Sequence, residues 1–260
     1  MKNTIEFYKY QGTGNDFIMI DNRDLQFPKQ QPFIEKLCDR RFGIGGDGLI
    51  LLETDENDAF DFRMVYYNAD GNESTMCGNG GRCLVAFAHF LDVFEEKCRF
   101  IAIDGPHEAQ IDNGIVKLKM IDVEKIEKDG EDFVLNTGSP HYVRYVDSLQ
   151  TLDVYQEGRN LRNAEAYKSE GINVNFVEKK DDQTLFVRTY ERGVEDETYS
   201  CGTGATAAAL TFLKSTPKNS VAIKVLGGNL KVYAEQNNDH FHNIWLEGPA
   251  QQVFRGKIDL

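Results

Sequence analysis

Apolar and polar positions along the chain alternate in short runs far more often than they recur every three or four residues. Stretches 5–10, 17–21, 49–53, 62–67, 116–121, 142–146, 174–178, 185–190, 221–226 and 230–234 are rich in β-branched, aromatic and leucine side chains. Turn residues such as Gly227-Gly228-Asn229 separate them, so these runs predict β-strands. Only 32–41, 81–94 and 204–214 predict helix. The last two are apolar nearly all round, as a helix enclosed by sheet would be. A charged, glycine-containing stretch at 125–132 reads as a linker or loop.

The same order of features occurs twice, which points to two homologous halves. Gly12-Thr13-Gly14-Asn15-Asp16-Phe17 leads into a strand, as does Thr137-Gly138-Ser139-Pro140-His141-Tyr142. A strand at 49–53 follows a Gly-rich turn, and its echo at 174–178 follows Gly171. Glu73-Ser-Thr-Met-Cys77-Gly78-Asn79-Gly80 returns as Glu197-Thr-Tyr-Ser-Cys201-Gly202-Thr203-Gly204, each before an enclosed helix. The join falls near 118–130. A pseudo-twofold axis relating the halves would turn the two Cys-Gly loops toward each other across a cleft.

Composition narrows the function classes. With 260 residues and a formal charge of -13, the chain would be repelled by a phosphate backbone or an anionic membrane, which argues against nucleic acid and membrane partners. No window approaches the roughly 20 apolar residues of a membrane-spanning helix, and the greasiest stretch, 84–91, contains His89. The first residues, MKNTIEFYKYQ, lack the basic cap and apolar run of a secretory signal, so a cytoplasmic location is expected. Five cysteines, Cys38, Cys77, Cys83, Cys98 and Cys201, match neither a disulfide framework nor zinc-ligand spacing, and no metal is expected.

A cysteine just before a helix and followed by glycine sits where unpaired backbone N–H groups converge and the helix dipole favours negative charge. Such a position favours the thiolate, the form that acts as base or nucleophile. One such cysteine is more often a small core residue. Two in equivalent places suit a reaction that removes a proton from one face of a carbon and delivers one to the other. The α-proton of an amino acid is weakly acidic, so donors must stabilise the charge developing toward the carboxylate. Backbone N–H groups of Gly78, Asn79, Gly202 and Thr203 are the candidates. Cys77 and Cys201 would exchange the roles of base and acid, and His141 and Glu191 are candidates to tune them by hydrogen bond or charge.

In order and spacing, YQGTGNDF, RRFGIGGDG, NADGNESTMCGNGGRC, GSPHYV, GINVNF and YERGVEDETYSCGTGATAA resemble the signature blocks of diaminopimelate epimerases over almost the whole chain. That resemblance implies interconversion of L,L- and meso-diaminopimelate, on the route to lysine and peptidoglycan, without pyridoxal phosphate or metal. Cys77 and Cys201 match the acid–base pair, and Gly78, Asn79, Gly202 and Thr203 the anion loops. Asn15 matches a substrate-contacting asparagine. Asn68, Asn173 and Arg192 match the grip on the distal amino-acid end, and Glu191 offers backbone contacts there. The implied fold is mixed α/β (α+β). It has two pseudo-symmetric domains, 1–120 and 121–249, each a curved, mostly antiparallel sheet around a central helix, with 250–260 returning to the first. A homodimer is expected. Gly48 stands where some members carry a substrate-contacting glutamine, so that contact would be absent or replaced. Ser139 stands where asparagine is usual, so a water would bridge or the contact would be lost.

Three rival readings compete. Gly202-Thr-Gly204-Ala-Thr-Ala207 formally fits the dinucleotide fingerprint, but the acidic residue expected about 20 positions later is missing. A proline-racemase-type enzyme would also use two cysteines, yet Asn68, Asn173 and Arg192 favour a longer, two-headed substrate. A non-catalytic amino-acid binding module would tolerate loss of both thiols without losing affinity. Cys38, Cys83 and Cys98 have no repeat partner and are assigned to packing.

Overall fold

The computed structural model describes residues 4–56 and 59–259. The chain divides into two compact units, Met1–Leu118 with Pro249–Leu260, and Lys119–Gly248.

In the first unit, β1 (Thr4–Gly12) and β2 (Asn15–Asp21) form a hairpin, followed by α1 (Gln31–Cys38), β3 (Gly48–Glu53), β4 (Phe62–Asn68) and the short β5 (Glu73–Ser74). Next come α2 (Gly78–Phe90), β6 (Lys97–Ala102), β7 (Gly105–Asp112) and β8 (Ile115–Lys119). The β2–β3 and β4–β6 pairings are parallel, and β1–β2, β3–β4, β4–β5, β6–β7 and β7–β8 are antiparallel. Alternation divides each strand between two helices. Ile18, Ile20, Leu49 and Leu51 pack in one cluster with Ile34 and Leu37 of α1. The intervening Phe17 and Ile50 lie against Gly80 of α2. With both faces covered, every residue of β3 is buried, which explains its unbroken apolar run. Residues 78–85 of α2 are likewise all buried.

The second unit repeats this topology. It comprises β9 (Glu127–Asp129), β10 (Asp132–Asn136), β11 (Pro140–Tyr145), α3 (Val154–Arg162), β12 (Asn173–Lys179), β13 (Thr184–Glu191) and β14 (Asp196–Thr198). Then follow α4 (Gly202–Leu213), β15 (Ser220–Val225), β16 (Gly228–Asn237) and β17 (His240–Pro249). Here β11–β12 and β13–β15 are the parallel pairs, the counterparts of β2–β3 and β4–β6, and the others in the series are antiparallel. Val174 and Phe176 of β12 join Val154 of α3 in one core cluster, while every residue of α4 except Thr203 is buried. Finally β18 (Gln251–Asp259) pairs antiparallel with β1 in the first unit. Each unit is therefore a mostly antiparallel sheet around a central helix.

Two local expectations change. Residues 125–132, read as a linker or loop, contribute β9 and the first residue of β10, a hairpin that turns at Gly130 with φ +61°. Helix α3 escapes the sequence pattern because Gly158 lies within it. A Cβ there would collide with the Tyr190 side chain, so glycine lets α3 pack against β13. Among the described residues no helix is long and apolar enough to cross a membrane.

Candidate active site

Cys77 is the N-cap of α2, extended at φ -101° and ψ 145°, and its Sγ accepts the Gly80 N–H at 3.1 Å. A sulfur in that place takes up one of the helix's unpaired donors and receives the favourable end of its dipole. Gly80 lets the backbone come this close, since a Cβ would lie 3.0 Å from that sulfur. The Asn79 side chain, 3% exposed, donates to Asn15 Oδ1 at 3.3 Å, and Asn15 Nδ2 donates to Asp47. Sequence reasoning missed Asp47. It also accepts the Asp16 N–H at 3.1 Å and pairs with Arg40 at 2.8 Å, closing the turns on either side of Asn15 into one network.

Cys201 occupies the same place on α4, as an extended N-cap at φ -117° and ψ 112°, with Sγ 3.5 Å from Thr203 Oγ1. Its loop is tied back by Thr137, whose hydroxyl donates to the Thr203 carbonyl at 2.9 Å. Beneath the first turn lies the fully buried Asn175, whose Oδ1 fills the space a Cβ of Gly204 would need. Asn175 donates to the Tyr142 carbonyl at 3.0 Å and to His141 Nδ1 at 3.1 Å, and accepts the Thr189 hydroxyl at 3.0 Å. An amide N–H given to Nδ1 leaves the imidazole proton on Nε2, which has no hydrogen-bond partner among the described residues. Burial, with Arg192's charge adding to it, pushes the His141 pKa down to about 3. His141 is therefore neutral near pH 7 and is equipped for hydrogen bonding, not for supplying charge.

Three more expected residues gather at the ends of β12 and β13. Asn173, 3% exposed, donates to Ser139 Oγ at 2.8 Å and the Pro140 carbonyl at 3.0 Å, and accepts the Arg192 N–H at 2.9 Å. The Arg192 guanidinium reaches Ser139 Oγ at 3.3 Å and the Glu170 carbonyl at 3.1 Å. Ser139 thus contacts both Asn173 and Arg192 directly. Glu191 accepts the Thr198 hydroxyl at 2.9 Å. In the first unit Asn68 ends β4 directly opposite Gly48 and is exposed. Position 48 has no room for a longer side chain, because a Cβ would meet the Tyr67 carbonyl at 2.5 Å and the Tyr66 ring at 2.6 Å.

The other three cysteines are interior thiols: burial pushes the pKa of Cys38 and of Cys98 up to about 12, and raises that of Cys83. Among the described residues no group of three or more His, Cys, Asp or Glu side chains could hold a metal ion.

The model of the diaminopimelate epimerase family matches residues 7–126 and again 133–253, one match to each repeat. The chain belongs to the diaminopimelate epimerase family. A diaminopimelate epimerase from Flavobacterium psychrophilum is 56% identical over 259 residues, covering 98% of this chain and all of the relative. One from Chlorobaculum tepidum is 44% identical over 260 residues, covering 96% and 99%. Among solved structures, a phenazine biosynthesis protein of the PhzF family from Bacillus anthracis superposes with a TM-score of 0.76 at 14% identity, covering 98% of this chain and 99% of its own. A hydroxyproline epimerase from Agrobacterium vitis gives 0.71 at 14% identity, covering 100% and 94%. These two share the epimerase fold, and at that identity they speak only to fold.

Proposed function

We propose that the protein interconverts L,L- and meso-diaminopimelate by a two-base reaction in which Cys77 and Cys201 are the acid–base groups. That it is an isomerase, an epimerase of diaminopimelate, follows from full-length membership of the family. The assignment to the cysteines rests chiefly on one observation: two thiols stand at the N-cap of the enclosed helix of each repeat, in the same extended conformation. In one direction the first cysteine, as thiolate, takes the α-proton while the second, as thiol, returns a proton to the opposite face; the reverse direction exchanges their roles. Backbone N–H groups of Gly78, Asn79, Gly202 and Thr203 receive the carboxylate and stabilise the charge that grows on it as the proton leaves. Asn15 contacts the substrate, and Asn68, Asn173, Glu191 and Arg192 hold its distal amino-acid end, so a shorter amino acid would leave polar groups there unpaired. The reaction needs no pyridoxal phosphate or metal. The resemblance of the motifs further supports a cytoplasmic homodimer.

Turnover of L,L-diaminopimelate by purified protein without added cofactor, with proline and hydroxyproline as controls, tests the reading. Cys77→Ala and Cys201→Ala are each expected to lower kcat by about 100-fold or more, the contribution of a positioned acid or base. Either variant turning over at the wild-type rate contradicts the assignment.

A further inference from the structure

Among the described residues Arg82 is the largest fully buried side chain, at 0% exposure, on the second turn of α2. Burying a guanidinium is costly unless something compensates it, and a carboxylate is the usual compensation. None pairs with Arg82 among the described residues. Its Nη1 donates to the Gly78 carbonyl at 3.1 Å, and its Nη2 to Asn79 Oδ1 at 3.0 Å and Thr13 Oγ1 at 3.1 Å, while Nε has no partner among the described residues. All three acceptors are neutral, and all belong to the Cys77 loop or to the turn beneath it. Thr13 is a β-branched residue at φ +53°, a conformation that persists only when its surroundings impose it. Burial works against the Arg82 charge, and an ionised Cys83 or Cys77 would favour it.

The groups around this cluster leave Cys77 as the partner. Burial raises the Cys83 thiol, so it stays protonated. Tyr10 on β1 is raised by burial, with Cys83 adding to it, and stays neutral. Asp16 on β2 is committed to Lys9 at 2.7 Å and Arg40 at 2.6 Å, and Asp104 accepts the Met76 N–H at 3.4 Å and pairs with His107 at 3.3 Å. The corresponding turn of α4 carries the neutral Thr206, whose hydroxyl donates to the Gly202 carbonyl at 2.9 Å, in place of that cation.

Resting on the two-cysteine reading above, we propose that Arg82 is a positioning residue for the reaction: it locks Asn79 and Gly78 in the first turn of α2, and its buried charge holds Cys77 as the resting thiolate, which makes Cys77 the base in the free enzyme. The asymmetry between the two helices thus assigns the starting protonation state, thiolate at Cys77 and thiol at Cys201.

The test does not depend on turnover. In a Cys201→Ser background Cys77 is the one cysteine not buried, so the pH dependence of its alkylation by iodoacetamide, with the site verified by peptide mass spectrometry, reports its thiolate directly. Arg82→Gln is expected to move the midpoint upward by about one unit or more, the effect of losing a nearby opposite charge. Arg82→Lys, which keeps charge but not the forked hydrogen bonds, should hold the midpoint nearer wild type while lowering epimerase activity in the Cys201-intact protein. Circular dichroism identifies folded variants, and the Arg82→Lys profile supplies the comparison if Arg82→Gln does not fold. An unchanged midpoint in folded Arg82→Gln overturns the proposal, as does an Arg82→Lys midpoint shifted upward by the amount expected for losing the charge. A wild type that shows the low midpoint yet fails to epimerise would contradict the functional reading and leave the role of Arg82 standing.

Discussion

At the scale of single residues, Cys77 and Cys201 are legible from the sequence because each stands in a repeated block, and repetition separates them from the three cysteines that merely pack. Arg82, Asn175 and Asp47 are not legible in this way. Their importance comes from burial and from partners far away in the chain: Asn175 meets His141 across 34 residues, and Arg82 meets Thr13 across 69. Within its motif Arg82 reads as an ordinary helical charge, and nothing in the string shows that no solvent reaches it. His141 is half legible, since the motif marks the position but only the fold shows it to be neutral. Its folded pKa of about 3 lies below its ordinary value of 6.5, so the unfolded chain binds a proton that the folded one refuses. The resulting stability is complete above pH 6.5 and is lost as pH falls from there toward about 3. Thermal melts at stepped pH should therefore show a steeper loss of Tm below pH 6.5 for wild type than for His141→Gln. Equal slopes would mean that His141 does not titrate in this way.

Among elements, those with strong alternation or an all-apolar surface are the readable ones. All ten expected strands and all three expected helices have counterparts, with ends displaced by a few residues. Missed strands such as β6, β7 and β17 carry Lys, Arg, Glu or His on their open side, which dilutes the apolar signal, while α3 is hidden by Gly158. Short β14 owes its place to an interaction that no local pattern reveals. Glu197 takes a forked pair of hydrogen bonds from Arg188 on β13, both at 2.6 Å, and Arg188 also donates to the Leu149 carbonyl at 2.7 Å. This anchors the chain four residues before Cys201. Its repeat counterpart Glu73 is exposed on β5. Replacing Glu197 by Gln should cost about 1–3 kcal/mol in denaturant unfolding, as expected for losing hydrogen bonds to a charged group. A double-mutant cycle with Arg188→Met checks it: the two changes should be markedly non-additive, and strict additivity would show that the pair is not coupled.

For the molecule as a whole, duplication is what connects sequence, fold and chemistry. One ancestral arrangement, a strand, a glycine turn, a second parallel strand and a cysteine capping an enclosed helix, occurs twice, and inversion of a stereocentre is a task that calls for two acid–base groups. The repeats have since diverged at the second turn of their central helices, where one holds a buried arginine and the other a threonine. The net charge of -13 bears on partners and solubility, whereas the fields invoked by the proposed reaction are local ones at two helix ends. The central claim is that two distinct groups handle the proton, and early turnover in deuterated water tests it most directly. With L,L-diaminopimelate at a few per cent conversion, the two-base account predicts meso product carrying solvent deuterium at the inverted α-carbon while recovered substrate keeps its protium. Product that retains the original α-protium would mean that a single group carries the proton from face to face, and would contradict the account.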